Sequence, residues 1–117
     1  MKVSERLHRL VVTEKEIENS ILEYLAARKI LAWKNQSVGV FDPTKQIFRK
    51  SFNRHHRKGV SDILGVYRGK FLAIEVKSVK GRLSPEQEEF LAAVKEAGGI
   101  SCVACSIEDV VEALNAF

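Results

Sequence analysis

Hydrophobic residues recur along the chain with two spacings. One spacing is typical of helices and the other is typical of strands. A first helix is predicted from the capping pattern Thr13-Glu14-Lys15-Glu16 and from apolar residues that follow at helical spacing: Ile17, Ile21, Leu22, Tyr24 and Leu25. A second helix is predicted from Ser84, because serine at the cap, proline next and glutamine at the third position suit a helix start. Gly98-Gly99 ends it, and a short third helix follows a cap at Ser106.

Short apolar runs between these helices predict strands. Residues 30–33 and 100–105 each predict a single strand, and residues 38–52 predict a hairpin that turns at 42–45. Two further strands, joined by a turn at Gly69, lie between them. We expect one domain over residues 1–117, with an N-terminal extension at 1–12 and a C-terminal helix at 106–117, because this length suffices for a single core.

The composition is that of an ordinary globular protein, but the charge is unevenly distributed. Hydrophobic residues make up 45% and charged residues 29%, and the net charge is +4. Between Lys45 and Arg68 the only acid is Asp62. A basic loop that leads into an acidic residue suits an enzyme acting on a phosphate backbone, whereas the alternative is a solvated basic loop. The candidate nucleic-acid-binding residues are Arg49, Lys50, Arg54, His55, His56, Arg57 and Lys58.

Two cysteines, Cys102 and Cys105, have the C-x-x-C spacing of redox pairs and half zinc sites. They lie in a predicted strand, and His55-His56 lack the spacing of a second zinc pair, so we interpret the cysteines as small buried hydrophobes. Residues 1–12 lack the apolar run of a signal peptide, and no segment has the length of a membrane span. A cytoplasmic protein without membrane contact is expected.

Asp62 and the tripeptide Glu75-Val76-Lys77 carry the candidate chemistry. Each acid lies among apolar residues, and the period of two along a strand puts Glu75 and Lys77 on the same face. Buried carboxylates need a compensating charge, which a divalent cation supplies. An Asp, a Glu and a Lys that meet at the end of a hairpin therefore indicate metal-assisted attack on a phosphodiester. The alternative is an Asp in a turn and a Glu–Lys pair on an exposed strand.

One acid of the first helix lies on an unexpected face. On a helical wheel Glu18 falls between Leu22 and Leu25, on the apolar side. Glu16 lies opposite, and Glu14 occupies the first turn, where a carboxylate suits the helix dipole. Glu18 is therefore a candidate for the site, or else an acid at the rim of the buried stripe. The sequence does not decide whether Glu18 or Glu14 is the acid that this helix contributes.

With these residues in place, the chain resembles the VRR-NUC family of nucleases, within the restriction-endonuclease-like fold. The resemblance lies, in order over residues 13–105, in Glu16-Ile17-Glu18, Gly59-Val60-Ser61-Asp62, Ile74-Glu75-Val76-Lys77, and Leu83-Ser84-Pro85-Glu86-Gln87 with Gly98-Gly99. Ser61 replaces the proline that is usual in the family.

The resemblance implies an α/β restriction-endonuclease-like core, with a mixed central β-sheet flanked by helices. It also implies an endonuclease that uses Mg²⁺ or Mn²⁺ as cofactor. Small single-domain members look related to Holliday-junction resolvases, which implies a structure-selective enzyme acting on branched DNA.

The residue pattern and the resemblance together give expected roles. Asp62 and Glu75 would bind the metal, with the Val76 carbonyl as a third ligand. Lys77 would orient or activate the attacking water, or stabilise the charge on the phosphoryl group. Gln87 would hold the Lys77 amine or the nucleophile in line, or would only complete the helix cap. The expected catalytic residues are Asp62, Glu75, Lys77, Gln87 and, as a further ligand, Glu18.

Three other functions share parts of this pattern. They are a nucleic-acid-binding module that does not cut, a metal-dependent phosphohydrolase, and a subunit whose basic loop binds acidic partners; no glycine-rich phosphate loop is present. Because a junction resolvase cuts two symmetric strands and one domain supplies one site, a homodimer is expected. The apolar residues that would form its interface, or would instead complete the core, are Val38, Val40, Phe41, Ile47, Phe48 and Phe52.

Overall fold

The computed structural model describes residues 12–36, 40–42, 47–49 and 55–117. These residues form a mixed four-stranded sheet with three helices and a separate two-stranded hairpin, in the order predicted from the sequence. The elements are α1 (Glu14–Ala27), β1 (Leu31–Lys34), β2 (Val40–Asp42), β3 (Ile47–Arg49), β4 (Ile63–Tyr67), β5 (Lys70–Val76), α2 (Pro85–Glu96), β6 (Ile100–Ala104) and α3 (Ile107–Asn115). The predicted α/β class, a mixed sheet flanked by helices, is therefore confirmed.

The helices begin where their capping residues predict. The Thr13 and Ser106 side chains each accept a backbone N–H from the following turn, at 3.1 and 3.4 Å. At α2 the capping box is complete, because the Ser84 Oγ accepts the Gln87 N–H and the Gln87 Oε1 accepts the Ser84 N–H. These bonds satisfy amide groups that the first turn of a helix leaves without partners.

The sheet has the strand order β1-β4-β5-β6. β4 pairs antiparallel with both β1 and β5, whereas β5 and β6 are parallel. Arg68 and Gly69 form the turn between β4 and β5, with positive φ values of 49° and 77° that suit a two-residue hairpin. α2 provides the crossover that two parallel strands require.

The hairpin predicted within residues 38–52 is present as β2 and β3. The two strands pair antiparallel, with Phe41 opposite Phe48. Residues 43–46, which hold most of the predicted turn, lie outside the described residues, as do residues 1–11 of the predicted extension.

The two faces of the sheet are covered unequally. α1 and α3 cover one face, whose buried side chains include Ile21, Leu25, Ile63, Ile74 and Val110. α2 covers part of the other face, where Phe90 and Val94 pack with Ala73. The remainder of that second face exposes Leu31, Trp33, Val66 and Phe71.

Both cysteines are free thiols at partly buried positions. Cys102 packs against the main core, and burial raises the pKa of its thiol to about 11. Its thiol is therefore protonated at neutral pH. Both cysteines were predicted to be buried in a strand, but both are only partly buried, and Cys105 lies just after β6. Within the described ranges, no helix is both long and apolar enough to cross a membrane.

Candidate active site

The hairpin of β4 and β5 brings the two predicted acids together. Ile63 pairs with Ile74 in the antiparallel register. Continuing that register by one residue places Asp62, just before β4, opposite Glu75 near the end of β5. Lys77 follows directly after β5, on the same side of the strand as Glu75.

The Asp62 carboxylate is held by the backbone of the neighbouring strand. Its Oδ2 accepts a hydrogen bond from the Val76 N–H at 2.8 Å. On the other side, the Asp62 carbonyl accepts the Asn35 N–H at 2.7 Å, which ties it to the residue after β1. These two bonds fix the position of Asp62 relative to both neighbouring strands.

Glu75 is almost completely buried, with 2% of its surface exposed. Its Oε1 accepts a hydrogen bond from the Gln87 Nε2 at 2.8 Å and lies 4.0 Å from the Lys77 Nζ. Its Oε2 is buried and has no hydrogen-bond partner among the described residues. Burial, and secondly the neighbouring Asp62 carboxylate, raise the pKa of Glu75 to about 8, although the Lys77 ammonium opposes this rise.

This arrangement suits a divalent cation. A buried carboxylate oxygen without a partner, next to a second carboxylate, is costly unless a positive charge compensates it. Within the described part of the chain, no group of three or more His, Cys, Asp or Glu side chains could hold a metal ion. Mg²⁺, however, is commonly held by only one or two carboxylates together with waters and substrate phosphates. Asp62 and Glu75 therefore fit such an ion.

Gln87 completes the helix cap, and its amide nitrogen contacts Glu75, a contact that was not predicted for it. Its Oε1 completes the capping box of α2, while its Nε2 donates to Glu75. One amide group thus joins the start of α2 to the end of β5. Because the amide nitrogen is used on Glu75, it orients that carboxylate and leaves Oε2 as the free oxygen.

The two candidate acids of α1 lie in different surroundings. Glu18 is 9% exposed, and its Oε2 lies 3.7 Å from the Lys34 Nζ. Its Oε1 is buried and has no hydrogen-bond partner among the described residues. Glu14 is exposed, and its Oε1 accepts the Ser78 N–H at 3.3 Å, next to Lys77. Glu14 thus contacts the segment that carries Lys77, whereas Glu18 contacts β1.

Sequence reasoning did not single out the contact that Gly59 makes. Gly59 has a φ of 75°, and a Cβ added there would overlap the carbonyl carbon and oxygen of Glu86. The chain before Asp62 therefore packs directly on the backbone at the start of α2. The signal available in the sequence was the glycine itself, since a close backbone approach at positive φ requires one.

The predicted basic residues are only partly described. The segment from His55 to Lys58 is exposed, and the Arg57 guanidinium lies 5.6 Å from the centre of the Phe90 ring on α2. Arg49 belongs to β3, but its side chain is not among the described parts of the structure. Lys50 and Arg54 lie wholly outside the described residues. Arg57 therefore contacts α2, the helix that begins at the site.

Comparison with known proteins gives one family and one related fold. The family model of the VRR-NUC domain matches residues 6–107. A solved structure of a VRR_NUC domain protein superposes with a TM-score of 0.56 at 20% identity, over 90% of this chain and 87% of that one. That likeness shows a shared fold. Comparison with proteins of curated function gave no match.

Proposed function

Because this chain belongs to the VRR-NUC domain family, which is of the nuclease type, we propose that it is a metal-dependent endonuclease that hydrolyses phosphodiester bonds in DNA. The observation that carries the proposal is the pairing of Asp62 with the buried Glu75, whose Oε2 has no partner among the described residues. A carboxylate that is desolvated beside another carboxylate is typical of a site that takes up a cation.

Asp62 and Glu75, with the Val76 carbonyl, would hold Mg²⁺ or Mn²⁺. When bound, such an ion polarises a phosphoryl oxygen and lowers the pKa of a coordinated water. The residues themselves provide the orientation: the Val76 N–H fixes one carboxylate and the Gln87 amide fixes the other. Groups held in this way need little rearrangement when the substrate binds.

Lys77 supplies a positive charge beside the carboxylates. Its ammonium lies 4.0 Å from Glu75, and its side chain is 16% exposed, so it is partly withdrawn from water. A partly desolvated cation stabilises negative charge that develops on the phosphoryl group more strongly than a solvated one. Lys77 would also orient the attacking water. Glu14 would position Lys77 through its hydrogen bond to the Ser78 N–H.

We further propose that the substrate is branched DNA and that two copies act together. The exposed cations Arg57 and Lys58 precede Gly59, which packs on the start of α2, so they lie beside the proposed site and can hold a phosphate backbone there. Cleavage of two symmetric strands requires two sites, and a two-fold homodimer is the simplest assembly that provides them.

The proposal is tested by incubating the protein with a labelled four-way junction, a flap and a linear duplex, in EDTA, Mg²⁺ or Mn²⁺. We expect cleavage that needs the metal and is fastest on the branched substrates. Asp62→Asn and Glu75→Gln, which keep the side-chain shapes, should abolish cleavage while DNA binding is retained. Glu112→Gln, which removes an exposed carboxylate of α3, serves as the matched control.

Three outcomes would contradict the proposal. Cleavage retained by Asp62→Asn or Glu75→Gln would remove these residues from the site. DNA binding without cleavage under any metal condition would indicate a binding module. Hydrolysis of mononucleotides or simple phosphate esters, without cleavage of DNA, would indicate a phosphohydrolase.

A further inference from the structure

A groove of about 460 Å³ lies on the face of the sheet that α2 covers only in part. Phe71 of β5 lies on one side of it, and Phe90 and Val94 of α2 lie on the other. The described residues that line it include two cations, Arg57 and Lys70, and no acid. Phe71 is 42% exposed, so an aromatic surface faces the groove beside these cations.

The second helix contacts both the groove and the candidate active site. Less than one turn of α2 separates two of its residues, Gln87 and Phe90. Gln87 contacts Glu75, and Phe90 contacts Arg57. Phe71 precedes Glu75 by four residues in β5 and lies on the same face, at a distance of about 13 Å along the strand at ~3.3 Å per residue. Ala73 lies between these two residues and is buried with Phe90, so a strand that joins the site to the groove passes over α2, where Arg57 lies.

We propose that this groove binds an unpaired stretch of the substrate strand, with a base stacked on Phe71 and phosphates held by Arg57 and Lys70. An exposed aromatic ring between cations is the arrangement with which proteins hold single strands. Duplex bases are stacked on each other and cannot reach the ring. This inference rests on the proposed function, and it adds the surface that unpaired nucleotides contact.

Lys70 lies at one end of the groove, where its Nζ donates to the Gly98 carbonyl at 3.4 Å and lies 5.6 Å from the centre of the Phe117 ring. An ammonium has three N–H donors, so a phosphate can be bound as well.

A second copy of this chain is the competing occupant. Leu31 and Val66 are aligned with Phe71 across three neighbouring strands, and all three are exposed. An interface on the groove itself would, however, bury Arg57 and Lys70 where no lining acid compensates them in the described part of the chain. Uncompensated cations oppose such an interface but favour a polyanion.

The proposal is tested by fluorescence anisotropy in EDTA. One probe is an oligo-dT of about twelve nucleotides, a length close to the site sizes of single-strand binders. The other probe is a duplex of equal length. Phe71→Ala should weaken oligo-dT binding about tenfold, within the range for loss of one stacked base. Duplex binding should change less than twofold, and Phe71→Trp should bind oligo-dT like the wild type. Leu31→Ala, which truncates an exposed apolar side chain of the same face outside the groove, is the control and should have no effect.

Photocrosslinking locates the strand directly. An oligonucleotide that carries 5-iododeoxyuridine should crosslink to the peptide that contains Phe71. An equal loss of duplex and oligo-dT binding in Phe71→Ala, or crosslinks only to other peptides, would overturn the proposal. A lower molar mass of Phe71→Ala and Leu31→Ala by light scattering would overturn it in favour of a second copy.

The measurements separate this inference from the proposed nuclease function. Binding is measured without metal, so it does not depend on cleavage. If oligo-dT binds through Phe71 but no DNA is cut, the nuclease proposal fails and the groove assignment stands. If DNA is cut but Phe71→Ala binds oligo-dT normally, only the groove assignment fails.

Discussion

Gln87 donates a hydrogen bond from its Nε2 to the Glu75 Oε1 at 2.8 Å, while its Oε1 accepts the Ser84 N–H at the same distance. The residue that completes the cap of α2 is therefore also the residue that orients the buried acid. Formation of the helix start and alignment of the carboxylate depend on one side chain. The two roles of Gln87 can be separated experimentally, because Ser84 takes part in the cap but not in the contact with Glu75.

We predict that Gln87→Ala lowers both stability and activity, whereas Ser84→Ala lowers only stability. Loss of the cap should reduce the free energy of unfolding by about 1 kcal/mol in each variant. Removal of the hydrogen bond to Glu75 should reduce the single-turnover cleavage rate about 10- to 100-fold in Gln87→Ala alone, as is usual for residues that orient metal ligands. Thermal unfolding and single-turnover cleavage measure the two effects. Equal losses of rate in both variants would show that Gln87 acts only as a cap.

Glu75 should make the metal-free protein less stable at alkaline pH. Its pKa is raised from 4.5 to about 8 in the folded protein, so folding favours the protonated carboxyl. The stability that this group contributes is fully present below pH 4.5 and is lost as the pH rises through about 8. In EDTA, the melting temperature should therefore fall between pH 6 and pH 9, and Glu75→Gln should show a smaller fall.

Metal should oppose this pH effect. A divalent cation binds the ionised carboxylate, so Mg²⁺ should raise the melting temperature of the wild type and leave Glu75→Gln nearly unchanged. Identical pH profiles of the wild type and Glu75→Gln in EDTA would show that the Glu75 carboxyl is not perturbed in the folded protein.

Gly59→Ala should disturb the site although position 59 carries no chemistry. The added Cβ would overlap the Glu86 backbone, in addition to the strain of a φ of 75°. Gly69→Ala is the matched control, because its φ is 77° but nothing lies within 4 Å of the added Cβ. Gly69→Ala should cost about 1–2 kcal/mol of stability, the cost of the left-handed backbone.

Gly59→Ala should cost more than this and should also reduce cleavage, because the start of α2 and Gln87 must shift. Chemical denaturation and cleavage assays measure the two quantities. Equal destabilisation of the Gly59 and Gly69 variants, with unchanged cleavage, would mean that the loop yields without moving α2.

Several features of the site follow from local rules and could be predicted from the sequence. Capping residues determine where the helices begin. Asp62 and Glu75 lie equally far from the turn at Arg68 and Gly69, so any hairpin with that turn places them opposite each other. The acid pair therefore depends only on one turn and one strand register.

Other contacts depend on how separate elements dock, and no local pattern encodes them. Glu14 and Ser78 are 64 positions apart, and their hydrogen bond requires α1 to pack beside the end of β5. The helical wheel emphasised Glu18 because it considers only the burial of one helix, whereas the contact beside Lys77 is made by the exposed Glu14. The contact of Gly59 with Glu86 is likewise tertiary.

The exposed cations Arg57 and Lys58 should contribute to DNA binding without sequence preference. Arg57→Ala combined with Lys58→Ala should weaken binding of all DNA sequences about equally and reduce the salt slope of log K by about 1.8, or ~0.9 for each phosphate that the protein no longer neutralises. Lys15→Ala combined with Lys29→Ala removes the same charge from residues in or next to α1 and should leave the slope nearly unchanged. Equal slopes in the two double variants would show that only net charge matters.

The proposed homodimer gives the last prediction. If two copies cut opposite strands of a four-way junction, light scattering at micromolar concentration should give twice the monomer mass. Mixed dimers of wild-type and Glu75→Gln subunits should then nick only one strand of each junction.

An aspartate in the hairpin, Phe41→Asp, should dissociate a dimer formed through β2 and β3, whereas Leu31→Asp on the exposed sheet face should not. A monomer mass together with unpaired nicks would refute the dimer. Dissociation by Leu31→Asp alone would move the interface from the hairpin to the sheet.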